Sequence, residues 1–392
     1  MTTVRIPISR PFFGAEEREA ILRPLETGWV VQGPYVQEFE RKFAAFTGAP
    51  HAAAASSCTT ALHLAVTALG LKPGDEVIVP AFTWVSTANV VEYMGATPIF
   101  CDIDLTTFNI DVARVEPLIT DRTVGLIPVH LFGLPADMIP LLELAKSHGL
   151  WIIEDAACGL GASYHGRHVG TFGEMGCFSF HPRKSITTGE GGMVTSTDAG
   201  LDGLVRSLRD HGASRSDLAR HAGAGGFLLA EYAHLGYNFR MTDMQGALGS
   251  VQMDRAEWIL RERTARAELY DRRLAGLDWL VTPAVPDDCV HGYQSYVCLF
   301  RPETPTTGNV EALSEKRNAV MSRLETQGIA TRQGTHAVVL QRYYAEKYRL
   351  DPGAFPSAWI ADRLSLSLPL YAQMSDADQD EVCRALEAAA RA

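Results

Sequence analysis

The sequence predicts an α/β protein, with a large and mostly parallel β-sheet in the first part and a smaller α+β domain after it. Short apolar runs alternate with amphipathic, helix-length segments over residues 35–154, a pattern typical of βαβ units. The alternation then stops, and strands and helices are spaced irregularly to the C-terminus. With 392 residues, of which 46% are apolar, the chain is long enough for two such domains.

The first part of the chain contains five predicted helices and four predicted strands. The first two helices are each followed by a glycine, Gly48 and Gly70, which is a common helix end. The strands are short and apolar, as expected for strands covered on both faces. The predicted helices span residues 35–47, 58–70, 86–94, 111–118 and 137–148, and the predicted strands span 76–80, 97–103, 124–130 and 150–154.

The second part has a different pattern. Two short strands flank a glycine-rich loop between about residues 170 and 196, and residues 211–231 are expected to form a loop over the site or the partner subunit. We place the domains at residues 1–250 and 251–392. The remaining predicted elements are a helix over 242–274, a strand over 293–300 and helices over 310–327 and 375–390.

Composition excludes several classes of partner. The formal net charge of −11 argues against nucleic acid or an anionic membrane surface. No run of about 18 apolar residues is present, so no membrane span is expected. Seven scattered cysteines without a CxxC pair fit a reducing, cytoplasmic location. The histidines lack the spacing of metal ligands, so no metal site is expected.

One stretch of the sequence carries recognisable chemistry. A predicted strand ends in Glu154 and Asp155, which places a carboxylate at the carboxyl edge of a parallel sheet, where ligands bind in such folds. Lys184 follows in a loop flanked by glycines, FSFHPRKSITTGEGG. A lysine that forms a Schiff base with pyridoxal phosphate, together with an aspartate that pairs with the pyridine nitrogen, is a known use of these two residue types.

At this point the sequence resembles the DegT/StrS family of sugar aminotransferases, which are pyridoxal phosphate enzymes of fold type I. Several motifs occur in the family's order and run nearly end to end. They are GWVVQGPYVQEFE (28–40), SSCTTALHLA (56–65), GDEVIVPAFTWVSTANVVEYMGATPIFCDID (74–104), EDAACGLGA (154–162), FSFHPRKSITTGEGGMV (178–194), LGYNFRMTDMQGALG (235–249) and LSLPLY (366–371).

The resemblance implies a role for each matching residue. Lys184 matches the Schiff-base lysine, which also moves a proton, and Asp155 matches the partner of the pyridine nitrogen. Trp84 matches the aromatic residue that stacks on the cofactor ring, although a tryptophan after a strand is more often part of the core. The cofactor phosphate is expected to contact Ser57, Thr59, Ser179 and, from the neighbouring subunit of a homodimer with shared active sites, Asn238.

Simpler interpretations remain open at some of these positions. Ser57, Thr59 and Thr60 are also suitable as a helix N-cap cluster. His181, beside the lysine loop, has a structural interpretation as well as a catalytic one.

Two cysteines depart from the commonest family pattern. Cys58 stands where glycine is frequent, so the chain must make the same turn without glycine's freedom at positive φ. Cys158 stands where many members have Gln or His contacting the ring hydroxyl of the cofactor, and a thiol is a weaker hydrogen-bond donor. Both positions are counted with the cofactor-binding residues, and the alternative is that each is small buried filler.

The function implied by the resemblance is amino transfer, with L-glutamate as donor and a nucleotide-linked keto deoxysugar as acceptor. Arg332 and His336 are the candidate substrate-binding residues, since a basic side chain holds a diphosphate well. Two alternatives stay open. One is transfer to a non-sugar ketone such as a cyclitol or an antibiotic precursor, and the other is a regulator that binds pyridoxal phosphate without turnover.

Overall fold

A computed structural model describes residues 4–214, 218 and 230–390. The expected loop over 211–231 therefore lies largely outside the described residues. The helices are α1 (Ala15–Thr27), α2 (Pro34–Thr47), α3 (Cys58–Ala68), α4 (Ser86–Tyr93), α5 (Met138–His148), α6 (Ala199–Leu208), α7 (Asp243–Asp254), α8 (Ala256–Leu274), α9 (Val310–Thr326), α10 (Arg342–Tyr348), α11 (Pro356–Leu364) and α12 (Asp376–Ala390).

The strands are short, as the sequence predicts. They are β1 (His51–Ala55), β2 (Glu76–Pro80), β3 (Phe82–Thr83), β4 (Thr97–Cys101), β5 (Thr123–Leu126), β6 (Trp151–Asp155), β7 (Ser163–Tyr164), β8 (Arg167–His168), β9 (Met175–Ser179), β10 (Gly192–Ser196), β11 (Leu280–Val281), β12 (Cys289–Val290), β13 (Tyr296–Phe300), β14 (His336–Ala337) and β15 (Ser365–Leu368).

A seven-stranded sheet forms the centre of the first part, in the order β1-β10-β9-β6-β5-β2-β4. Only β10 runs against its neighbours, so the sheet is mostly parallel, as predicted. Strand β2 is completely buried, and β6 is buried along all but its first residue. Helices cover such a sheet on both faces, which explains why its strands are continuous apolar runs.

Two of the predicted elements are wrong, and several elements were not predicted, among them β1, α1, α6 and, in a segment expected to be a loop, α10, α11 and β15. Residues 111–118 form two short 3₁₀ turns, because Pro117 interrupts the backbone hydrogen bonding that an α-helix needs. The helix predicted over 242–274 is interrupted at Arg255, whose guanidinium is held by Glu16 and Glu17. Strand β1 was not predicted, because alanine favours helices and is depleted in strands, so its four consecutive alanines give no strand signal.

The second part contains a three-stranded antiparallel sheet in the order β11-β13-β15, beside α9, α11 and α12. This agrees with the predicted α+β composition. The predicted boundary between residues 250 and 251 falls inside α7 and stays a prediction. In the part of the chain that the structure describes, no helix has both the length and the apolar character that a membrane crossing requires.

A buried carboxylate holds β1 in its place at the end of the sheet. Glu40 on α2 accepts hydrogen bonds from Arg206 on α6 and from Arg209 directly after it, each at 2.6 Å, and from the backbone of Ala54 at 2.8 Å. Burial would raise the pKa of Glu40, but the charges of Arg209 and Arg206 outweigh it and lower that pKa. Two helices are thereby joined to the strand that leads into Ser57.

The connection before β13 is fixed by buried polar groups. Tyr293 has a positive φ of 42°, which is unusual for a bulky residue. Its backbone N–H donates to His291 Nδ1 at 2.8 Å, and its carbonyl accepts from Arg263 at 2.9 Å. Arg263 also donates to the carbonyls of Gln294 and Leu370. These contacts hold Gln294 in position beside the lysine loop.

The buried His291 should make the unfolding free energy of the protein depend on pH. Burial lowers the pKa of its imidazole to about 3, so the ring stays neutral in the folded protein. The unfolded chain takes up this proton below about pH 6.5, so this contribution to stability is complete above that pH and is lost as the pH falls. His291→Asn keeps an acceptor for the Tyr293 N–H but has no imidazole to protonate. Between pH 7 and pH 5 we therefore expect the unfolding free energy of the wild type to fall by about 2 kcal/mol more than that of His291→Asn.

The measurement is denaturant unfolding at both pH values. His148→Asn is the control, since His148 lies at the surface in the last turn of α5. It should keep the wild-type pH response. Equal losses in wild type and His291→Asn would contradict the prediction.

Candidate active site

The carboxyl edge of the large sheet brings together residues that are distant in the sequence. Ser57 follows β1, Ser179 ends β9 and Asp155 ends β6, and these three strands run in the same direction. Trp84 follows β3, shortly after the parallel strand β2. Four residues that the sequence predicted as site residues therefore lie along one edge, as the parallel topology requires.

The N-terminus of α3 is suited to bind an anion. Ser57 is its N-cap and accepts from the Thr60 N–H at 3.1 Å, while the Thr60 hydroxyl donates to the Ser57 carbonyl at 2.8 Å. The N-cap interpretation therefore holds for Ser57 and Thr60, and Thr59 lies between them in the first turn. N–H groups in a first turn have no acceptor within the helix, and the helix dipole adds positive potential.

The strand register places Ser179 beside this helix end. Gly192 on β10 pairs with Ala55 on one side and with Ser179 on the other. A Cβ on Gly192 would lie 2.3 Å from the carbonyl oxygen of Ser57, so only glycine permits this approach of strand and helix. Hydroxyls and free N–H groups thus border one small area, which fits the phosphate of pyridoxal phosphate.

Cys58 adopts its turn without strain. It is the first residue of α3 and is not among the residues with positive φ, so glycine's conformational freedom is not needed there. Its thiol is buried and points to the carbonyl of Cys177 at 3.7 Å. Burial raises the pKa of Cys58 well above its usual value, which fits a packing residue beneath the site.

Asp155 is a buried carboxylate that forms no salt bridge among the described residues. It accepts one hydrogen bond from the Thr87 hydroxyl at 2.7 Å and one from the Ala157 N–H at 3.2 Å. Burial raises the pKa of Asp155, and these two hydrogen bonds together with the nearby charge of Lys184 counteract only part of that effect. A buried charge is costly unless it is paired, so this position fits the protonated pyridine nitrogen of the cofactor.

Thr87 was missed by the sequence reasoning. Its hydroxyl lies 3.1 Å from the Thr83 hydroxyl, so Thr83 can donate to Thr87 while Thr87 donates to Asp155. Both threonines lie within the motif at residues 74–104, but they look like ordinary residues of a strand and a helix. Only the fold shows that α4 places Thr87 against the end of β6.

The neighbouring carboxylate of Glu154, by contrast, accepts hydrogen bonds on both of its oxygens. It accepts from the backbone N–H groups of Gly170, Phe172 and Gly173 at 2.6–2.9 Å. His130 Nδ1 accepts from Ala136, so its other nitrogen carries the hydrogen and donates to Glu154 at 2.9 Å. Glu154 therefore has a structural role, and Asp155 is the residue available to a ligand.

Lys184 lies near Asp155 and contacts Cys158. Its Nζ donates to the Cys158 Sγ at 3.1 Å. The lysine loop is held by internal hydrogen bonds, including Lys184 N–H to the His181 carbonyl at 2.8 Å, and by Gln294, which donates to the Arg183 carbonyl at 2.8 Å. His181 Nδ1 accepts from the Arg183 N–H at 3.2 Å, which supports its structural interpretation.

Basic and aromatic groups lie near Trp84 and the lysine loop. Trp84 keeps 53% of its surface exposed, and its ring centroid lies 6.0 Å from that of His336. Burial lowers the pKa of Arg183, and the charge of Arg332 lowers it further, so Arg332 lies close enough to act on Arg183. Arg183 was not singled out from the sequence. Arg342, in contrast, points into solvent and pairs with Glu346.

Asn238 is exposed and lies close to the phosphate-binding end of α3. The backbone of residue 238 pairs with Asp210, and the next residue, Phe239, accepts from the Ser56 N–H at 2.8 Å. The predicted contact of Asn238 with the phosphate in a neighbouring subunit stays a prediction.

Comparison with known proteins gives a consistent result. The model of the DegT/DnrJ/EryC1/StrS aminotransferase family matches residues 11–387. The spore coat polysaccharide biosynthesis protein SpsC of Bacillus subtilis is 38% identical over 382 residues, which cover 97% of this chain and 96% of SpsC. The GDP-perosamine synthase of Caulobacter vibrioides is 39% identical over 385 residues, covering 98% of each chain.

A solved structure supports the fold and the cofactor. The putative sugar aminotransferase Spr1654 from Streptococcus pneumoniae, in its pyridoxamine phosphate form, superposes with a TM-score of 0.91 at 27% identity and covers 99% of each chain. The same protein has been solved in its pyridoxal phosphate form. The predicted fold class and the predicted dependence on pyridoxal phosphate are therefore confirmed.

The Thr87 contact gives a testable prediction. Thr87→Val removes one of the two hydrogen bonds that stabilise the ionised Asp155, so the pKa of Asp155 should rise further. We expect about tenfold weaker binding of pyridoxal phosphate, since a hydrogen bond to a charged group contributes about 1.5–3 kcal/mol. The measurement is a cofactor titration followed by absorbance.

Thr67→Val is the control, because the Thr67 hydroxyl donates only within α3 and towards Met94. Unchanged affinity in Thr87→Val would contradict the role of this contact.

Proposed function

The chain belongs to the DegT/DnrJ/EryC1/StrS aminotransferase family, and we propose that it transfers an amino group from L-glutamate to the keto group of a nucleotide-linked deoxysugar. It is a pyridoxal phosphate-dependent aminotransferase. The observation that carries the proposal is the buried Asp155, which forms no salt bridge among the described residues and lies at the sheet edge near Lys184.

The proposed cofactor contacts follow from this edge. The first turn of α3, with Ser57 and Thr59, and the Ser179 hydroxyl hold the phosphate. Asp155 holds a proton on the pyridine nitrogen, and Trp84 covers one face of the ring. Cys58 packs beneath the cofactor and Cys158 lies beside the lysine.

Lys184 moves the proton in the proposed reaction. When bound, pyridoxal phosphate supplies an electron sink for the bonding electrons of the substrate's α carbon. Lys184 Nζ takes the proton from that carbon and returns it to C4′ of the cofactor, and it runs the same steps in reverse for the keto acceptor. Asp155 favours both directions, because it keeps the pyridine nitrogen positively charged.

The names of the relatives support a sugar acceptor. One is a spore coat polysaccharide biosynthesis protein and another is GDP-perosamine synthase. A nucleotide-linked sugar and glutamate are both anionic, and Arg183 with Arg332 supplies two neighbouring positive charges on the substrate side. We propose that Arg332 binds an anionic group of the substrate and that His336, which lies against Trp84, contacts the sugar.

The proposal includes a cytoplasmic homodimer. Helix α1 exposes Ile21, Leu22 and Leu25, and Val30 and Val31 follow it at the surface. Apolar groups in this number favour contact with another chain. Asn238 would then reach the phosphate in the partner subunit. The seven free cysteines support a reducing compartment.

Lys184→Ala tests the mechanism directly. We expect a loss of at least about 10³-fold in amino transfer, because no other group replaces the proton carrier, while cofactor affinity is kept by the phosphate and Asp155 contacts. The measurement combines transfer rates with the visible absorbance of the bound cofactor, which L-glutamate should bleach in the wild type only. Lys146→Ala, an exposed lysine of α5, is the control. An active Lys184→Ala enzyme would overturn the proposal.

Arg332→Ala tests substrate binding. Loss of one guanidinium should raise the KM for the acceptor about 10- to 100-fold with little change in kcat, and Arg332→Lys should recover part of the loss. Arg342→Ala is the matched control, since its side chain is 89% exposed. A fall in kcat at unchanged KM would show that Arg332 does not act through binding.

The identity of the acceptor is tested by a screen. Purified enzyme is incubated with L-glutamate and a panel of keto-sugar nucleotides and cyclitol ketones, and the aminated products are detected by mass spectrometry. Turnover of a sugar nucleotide alone supports the proposal. Turnover of a cyclitol ketone alone replaces the sugar acceptor with a non-sugar one, and no turnover of any ketone by cofactor-loaded enzyme favours a binding protein.

A further inference from the structure

Six of the seven cysteines are protected from reaction by their surroundings. Burial raises the pKa of each of these thiols, and a neutral thiol is a poor nucleophile. They are Cys58, Cys101, Cys177, Cys289, Cys298 and Cys383. The seventh, Cys158, is only partly buried and lies in the active site.

Cys158 is in direct contact with the catalytic lysine. Lys184 Nζ lies 3.1 Å from its Sγ, and both side chains border a small cavity together with Ser179 and Gln294. Peroxides oxidise a cysteine sulfur where they can reach it, and Cys158 is only partly buried and borders this cavity. A sulfur nucleophile and a nitrogen nucleophile are therefore in contact, and a small movement would bring them within bonding distance.

We propose that Cys158 is an oxidation site and that Lys184 traps the oxidised sulfur in a covalent sulfur–nitrogen bond. The oxidant is a peroxide. Cys158 reacts in its thiolate form with one oxygen of hydrogen peroxide. The S–O bond forms as the O–O bond breaks, and the leaving hydroxide takes a proton from the Lys184 ammonium and departs as water, which gives a sulfenic acid and a neutral amine. The neutral amine of Lys184 then attacks this sulfur, the N–S bond forms, and the S–O bond breaks with loss of a second water. Sulfur is oxidised by two electrons and the peroxide is reduced.

The cross-link would regulate the enzyme, and this consequence rests on the proposed function. Lys184 is free of the cofactor during half of the amino-transfer cycle and in cofactor-free protein, and only then is its nitrogen available to Cys158. Once bonded to sulfur, it can neither capture pyridoxal phosphate nor move a proton. A small thiol restores it: the thiolate attacks Cys158 Sγ, the S–N bond breaks, and the amine leaves with a proton. A second thiol then reduces the mixed disulfide.

The test is mass spectrometry after treatment with hydrogen peroxide in the absence of thiols. The wild type is compared as cofactor-free protein, as cofactor-loaded protein and after bleaching with L-glutamate. Trypsin releases Cys158 in peptide 147–167, and it releases Lys184 in peptide 184–206 when cleavage after a modified Lys184 fails. We expect these two peptides to be joined, with a mass two hydrogens below their sum, in the free-lysine samples. Cofactor loading should reduce the product at least about tenfold.

Variants separate the proposal from simple oxidation. Cys158→Ser should give no cross-link, and Cys289→Ser, which removes another partly buried cysteine, should give as much as the wild type. In Lys184→Ala, Cys158 should proceed to the sulfinic acid. Dithiothreitol should remove the cross-link and restore cofactor binding.

Oxidation of Cys158 with Lys184 unmodified, or no oxidation of Cys158, would overturn the proposal. The cross-link is read by mass in cofactor-free protein, so its failure is distinct from failure of amino transfer.

Discussion

The site depends on two adjacent carboxylates buried at the end of one parallel strand. Glu154 accepts hydrogen bonds within the fold from three backbone N–H groups and from His130. Asp155, the next residue, points to the opposite face of the strand and receives only Thr87 and Ala157. An unpaired buried charge is unfavourable, so a cation bound beside Asp155 would stabilise it. A protonated heterocycle is such a cation.

An anion, in contrast, is favoured at another position along the same edge of the sheet. Strand β1 delivers the chain into the N-terminus of α3, where N–H groups and the helix dipole favour an anion. The pairing of Ala55, Gly192 and Ser179 sets this helix end against β9, while β6 carries Asp155 on the other side of β9. One flat ligand with a cationic ring nitrogen and an anionic phosphate satisfies both positions together. Strand order brings these two positions to one edge of the sheet.

Much of this arrangement could be predicted from the sequence, because residues that follow parallel strands must meet at one edge. That argument places Asp155, Ser57, Ser179 and Trp84 correctly. It does not reach Thr87, whose role depends on how α4 packs. It also misses the proximity of Arg183 and Arg332, which come from segments far apart in the chain. Strand β1 was missed because its alanines take their structure from pairing with β10, which the local pattern does not contain.

The identity of residue 158 matters because a free lysine needs an acceptor. Whenever Lys184 is not bonded to the cofactor, its amine needs a hydrogen-bond acceptor, and among the described residues its Nζ donates to the Cys158 sulfur. A thiol is a weak acceptor. The contact therefore leaves an oxidisable sulfur beside the lysine nitrogen. An amide or imidazole at this position could accept the hydrogen bond without becoming sensitive to peroxide. Under the proposed cross-link, this single side chain would couple the state of Lys184 to the redox conditions around the enzyme.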